Sequence, residues 1–250
     1  MKKYLKPDLL PLLILAAGVV GMLLQLWQYV GGTDEKGLLV KGHISAILLA
    51  ILTVAVLALI LLGTWNLREG NQYRHNFPAS RQGCVGAGLA AVMIFVTAVG
   101  DLLIRKDLLI LVTGIVGLLA GLSMIVICLG RLQGRQVNFL FPLTVCVFLM
   151  LHLICQYRVW SGEPQLLSYC YPLLATVCVM LSCYQTAAFA GNFGDRRAHA
   201  ALHLAAVYFC CVSMIGDHTP LFYFAMGLWM LTDMCRLLPA PRTFQRGEEQ

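Results

Sequence analysis

Eight long apolar stretches alternate with short polar segments along the chain, at 9–30, 44–63, 84–100, 108–130, 139–157, 166–190, 200–215 and 221–238. A hydrocarbon core about 30 Å thick is crossed by about 20 residues of helix rising 1.5 Å each. Each stretch therefore predicts a transmembrane helix. Helices satisfy their backbone groups internally, and the alternating ten-residue strands of a membrane barrel are absent. The runs at 44–63, 108–130 and 166–190 carry no charge at all. The last two stretches have the weakest apolar signal, because 200–215 is short and 221–238 contains Asp233 and Arg236.

Polar residues at the boundaries predict helix starts. Asn138 is placed to cap the fifth span, and Thr219 with Pro220 suits the N-cap and N1 of the eighth. Asp107 and Asp195 are placed to accept first-turn N–H groups of the fourth and seventh.

Composition supports the same class. Of 250 residues, 59% are hydrophobic and 12% charged, with a mean hydropathy of +0.78. A soluble domain is about a quarter charged, so this surface is made for lipid. Eight spans leave no length for a soluble domain. Residues 1–250 are read as a single polytopic membrane domain, with 239–250 a disordered tail. The net charge of +6 is spread over the loops without a basic stripe, which excludes a nucleic-acid partner. The lipid bilayer is the expected partner.

With eight spans, thirteen of the 18 Lys and Arg fall on one side of the membrane. The positive-inside rule makes that side cytoplasmic. Both termini and the tail are then cytoplasmic, in a plasma membrane or bacterial inner membrane. Lys2, Lys3 and Lys6 before an apolar run resemble a signal peptide. The run is longer than most such regions and ends at Gln25, Trp27, Gln28 and Tyr29 without a cleavage site, so an uncleaved first span is expected. Aromatics near the span ends, among them Trp27, Trp65, Phe77, Phe139, Tyr157, Phe222 and Tyr223, read as interfacial belts.

A weak internal similarity runs at an offset of 128. Gln28-Tyr29, Glu35 and Leu38-Leu39 match Gln156-Tyr157, Glu163 and Leu166-Leu167. It suggests a parallel 4+4 repeat with halves at 8–130 and 139–238.

Most of the ten cysteines lie in apolar runs, where a thiol packs as a small hydrophobe, and no C-x-x-C pair occurs. Cys155 and Cys170 fall near one membrane face, but spacing alone assigns them no disulfide.

The strongest chemical constellation is Asp195, His199 and His203, spaced i, i+4 and i+8 on one helical face. Asp233 on the returning eighth span reaches a similar depth. His199, His203 and Asp233, with His152 elsewhere, are candidates for substrate or proton coupling. With Asp195 the same three are also candidates to hold a divalent metal, the one cofactor the sequence suggests. The structural alternative makes Asp195 a cap, the histidines interfacial, and Asp233 a partner of Arg236. His152 and Gln156 sit one turn apart in the fifth span, and the acids Asp34, Glu35, Asp101, Glu163 and Asp217 make the outer side mildly acidic.

Gly117-x-x-x-Gly121, preceded by Gly114, marks a close helix contact that serves either the bundle or an oligomer or partner subunit. Phosphate-binding loops, serine-hydrolase elbows, H-E-x-x-H and Rossmann fingerprints are missing. Three function classes remain: a small-solute carrier or membrane-embedded subunit of a transport system, an intramembrane metal-dependent enzyme, and a scaffold or sensor.

Overall fold

The computed structural model describes residues 9–32, 43–65, 67, 77, 81–104, 107–160, 169–215 and 219–237. Expectations that fall elsewhere, including the outer-loop acids Asp34, Glu35, Glu163 and Asp217 and the tail, lie outside the described residues. The described residues form eight α-helices and no strand: α1 Leu10–Gly31, α2 Ile44–Trp65, α3 Arg81–Ile104, α4 Leu108–Gln133, α5 Leu140–Trp160, α6 Cys170–Ala190, α7 Arg196–Ser213 and α8 Pro220–Leu237. Each predicted span has its helix. The first six are long and apolar enough to cross a membrane, and the protein is a multi-pass helical membrane bundle.

The helix starts follow local chemistry only in part. The Asp195 side chain accepts the Arg197 N–H and starts α7 four residues before the apolar run begins. Asn138 Oδ1 accepts the Leu140 N–H at 3.3 Å. Asp107 makes no cap bond; its carboxylate is drawn to Arg158 at 3.3 Å across the α4–α5 rim. The Thr219 hydroxyl has no hydrogen-bond partner among the described residues, so Pro220, with its preset φ, marks that start alone. Turns are tight where the backbone turns left-handed: Gly134 (φ 63°) ends α4, and Asn192 (φ 62°) lies between α6 and α7.

Helices that pack together and follow one another in the chain run antiparallel, whereas α1 runs parallel to α7, with Gly18 at Cys211 and Gly21 at Val212. At one rim Leu10 of α1 meets Gly63 of α2, and Cys84 of α3 meets Cys128 of α4. Also there, Gln136 before α5 donates to the carbonyl of Ala190 at the end of α6 (2.7 Å), and Arg197 of α7 donates to Leu67 after α2 (2.9 Å). At the opposite rim Trp27 meets His43, Gly114 meets Leu102, and Gln25 reaches the Ile215 carbonyl. The start of α1 and the end of α8 therefore share the first rim, the arrangement that an even number of spans requires.

Helices α3, α4, α5, α6, α7 and α8 pack side by side in that order, and α8 closes the ring onto α3. The α1–α2 pair lies outside this ring, against α7. Within the proposed halves the packing differs: α6 lies along α7, whereas α2 and α3, the corresponding pair, do not pack extensively among the described residues.

The centre is α7, the stretch with one of the weakest apolar signals. Fourteen of its 18 residues are buried, because α1, α2, α6 and α8 all contact it. Gly18 of α1 sits against Cys211 and Tyr208, Gly21 against Val212, and Gly227 of α8 against Cys210. Small residues let the backbones approach where apolarity alone gives helices no reason to leave lipid. A helix covered by other helices needs no lipid-compatible surface, so it can afford polar residues. The outward faces of α1 to α5 carry the exposed apolar side chains, such as Leu23, Ile51, Leu62, Val92, Leu119 and Met150.

The Gly117–Gly121 face packs within the chain. Gly117 packs on Ala98 of α3 and Phe148 of α5, and Gly121 packs on Phe95 of α3. The aromatic belt is also thinner than the sequence implied. Trp27, Trp65, Phe139 and Tyr157 are exposed near the rims, but Phe77, Phe222 and Tyr223 turn inward and are buried.

Candidate functional site

At the first rim, four helices and one loop residue enclose a cluster of ionisable and aromatic side chains. Arg131 in the last turn of α4 places Nη2 2.9 Å from Asp233 Oδ2 of α8, with side-chain exposures of only 4% and 2%. The Trp229 indole, one turn before Asp233, lies beside the carboxylate. The Phe77 ring covers the guanidinium, 4.0 Å from Cζ to the ring centre, in the cation–π range. Phe77 meets Phe189 of α6 edge-on at 5.5 Å and His199 of α7 edge-on at 5.3 Å. His199 in turn meets Phe189 at 5.1 Å and lies 3.8 Å from the His203 ring. Both imidazoles are wholly buried.

The histidine nitrogens are the least satisfied groups in this cluster. His203 Nδ1–H donates to the His199 carbonyl one turn back, at 3.0 Å. His203 Nε2 and both ring nitrogens of His199 have no hydrogen-bond partner among the described residues. Buried polar atoms without partners are rare in folded proteins and point to a water, an ion or a ligand at the site. A buried ion pair adds to this, because desolvating two charges can cost more than their attraction returns.

The structure thus unites His199, His203 and Asp233 at one end of the bundle, but not with Asp195. The Asp195 side chain is exposed and occupied with the α7 cap. Asp233 bonds to Arg131 on another helix. Among the described residues no three His, Cys, Asp or Glu side chains converge where they could hold a metal ion. His152 belongs to the opposite end of the ring, between Phe148 of α5 and Phe222 of α8, with Gln156 at 3.5 Å.

Sequence reasoning missed Arg131, Phe77 and Phe189. Arg131 had a readable signal: Gly117, Gly121, Met124 and Ile127 recur at helical spacing on the buried face of α4, and Arg131 continues that stripe by one turn. Counting it only as a loop cation hid it. Phe77 had none, since nothing local tells an interfacial aromatic from one folded inward. Asp195→Ala is expected to lower stability by about 1 kcal/mol, as cap losses do, without affecting the buried cluster. Thermal unfolding of the purified protein measures this. No protein-family model matches the chain, and no curated protein or solved structure matches it.

Proposed function

We propose that the protein is a small-solute carrier, or the membrane-embedded binding subunit of a transport system. Its working site is the Arg131–Asp233–His199–His203 cluster. The observation that carries this reading is the pair of wholly buried imidazoles, three of whose four nitrogens lack a partner among the described residues. They lie at the same end of the bundle as a buried Arg–Asp pair. Ionisable groups at membrane depth are costly and mark solute paths and proton relays. The placement of both histidines on the enclosed helix α7, rather than on a lipid-facing one, fits a path through the bundle. The reading includes eight crossings, with the first rim cytoplasmic. That rim carries Arg81, Arg131, Arg135, Arg196 and Arg197 among the described residues, in keeping with the positive-inside rule.

A scaffold is the second reading, favoured by the close aromatic packing of Phe77 and Phe189 over the cluster. The two are separated in proteoliposomes screened for transport currents with amino acids, carboxylic acids and organic cations under an imposed pH gradient. The carrier reading expects a current with one of these classes, abolished in Asp233→Asn and in His199→Met. The His199 variant tests the site without unpairing a charge, and it is expected to unfold no earlier than the parent. Absence of current across all classes, with both variants folded, supports the scaffold.

A further inference from the structure

We infer that Cys84 and Cys128 form a dithiol site that is oxidised to a disulfide across the α3–α4 interface. Cys84 lies in the first turn of α3 and Cys128 near the end of α4, and their Sγ atoms stand 2.6 Å apart. Cys128 Sγ also lies 3.3 Å from the Cys84 carbonyl oxygen, within reach of S–H donation. Both residues are half-buried rather than enclosed, so a small oxidant can reach them.

The approach has a structural cause. Gly114, Gly117 and Gly121 bring α4 against Leu102, Ala98 and Phe95 of α3 along most of their length. Continuing that stripe by two turns arrives at Cys128. Gly88, one turn beyond Cys84, faces the Cys128 sulfur; a Cβ there would stand 4.0 Å from it, in ordinary contact. Two thiolates sharing a tetrahedral zinc, each about 2.3 Å from the metal, would sit about 3.8 Å apart. The observed contact is too close for a shared ion and suits direct bonding.

The reaction needs a two-electron oxidant, and hydrogen peroxide, small and uncharged, is the class that fits. One cysteine, as thiolate, attacks a peroxide oxygen; the O–O bond breaks, a sulfenic acid forms and water leaves after protonation. The second sulfur then attacks the sulfenic sulfur, displacing its hydroxyl as a second water and closing the S–S bond. Two thiols are oxidised and one peroxide is reduced to two waters. The product joins α3, whose Gly86 packs on α8, to α4, whose Arg131 pairs with α8. Oxidation thereby fixes two helices that border the charged cluster.

The test uses the full-length protein in membranes. It is exposed to hydrogen peroxide or to a reductant, its free thiols are alkylated, and it is digested without reduction for mass spectrometry. Peroxide should yield a Cys84–Cys128 linked peptide, lighter by two hydrogen atoms than the separate thiol peptides, together with loss of alkylation at both positions. Cys84→Ser and Cys128→Ser should each remove that peptide, and both are close enough in size to preserve folding. Full alkylation of both residues after peroxide overturns the inference. So does over-oxidation of either without linkage, or linkage of either to a different cysteine.

Discussion

Arg131→Ala is expected to destabilise the bundle by about 3–5 kcal/mol, because it leaves Asp233 buried without its counter-charge. The carboxylate has 2% of its side chain exposed and an Arg131 nitrogen at 2.9 Å, so little water is at hand to replace the guanidinium. Loss of the guanidinium also removes the cation beneath the Phe77 ring. The companion experiment replaces both partners, Arg131→Met with Asp233→Leu. Apolar replacement of a whole buried pair is commonly neutral or stabilising by about 1–4 kcal/mol. The double variant should therefore match or exceed the parent in denaturant unfolding in mild detergent. If transport is lost while stability is regained, the pair is kept for function. If the double variant is as unstable as the single one, the pair is a packing device and its role in a solute path is refuted.

Gly86→Leu should separate α3 from α8. A Cβ at Gly86 would meet the Thr232 hydroxyl, and would stand 3.0 Å from the Trp229 Cα and 3.3 Å from the Leu228 carbonyl oxygen. The hydroxyl can rotate away, but the backbone of α8 cannot, so the helices must part. Overpacking of a close-fitted interior costs about 1–3 kcal/mol, and a leucine wedged against backbone belongs at the upper end. Because α8 closes the ring onto α3, the same change should loosen the Arg131–Asp233 contact and reduce any transport current. Gly100→Leu serves as the control. It lies on the same helix with nothing within 4 Å of its would-be Cβ, and since leucine favours helix over glycine its unfolding midpoint should not fall. Equal loss in the two variants would therefore mean that the α3–α8 contact does not set the effect.

Much of the architecture was legible because lipid imposes a rule that acts residue by residue. Each crossing must be a long apolar helix, so eight helices and their approximate limits could be read from hydropathy. The Asp195 and Asn138 contacts were legible for the same reason, since capping is decided within a few residues. Asp107 was misread because Arg158 came within reach from another helix. Of the site, His199, His203 and Asp233 stood out as ionisable residues in apolar surroundings, but their partners did not.

By itself, the sequence determined that this is a helical multi-pass membrane protein with polar chemistry at one end of its last two helices. Hydropathy, capping and charge distribution are local properties that need no partner to be seen. Tertiary structure alone decided that α7, a helix of modest apolarity, is the enclosed centre. It also decided that Asp233 pairs with Arg131 from α4, and that Phe77 folds inward over the pair. These contacts join residues far apart in the chain, and which helix faces lipid and which faces another helix depends on all eight packing at once.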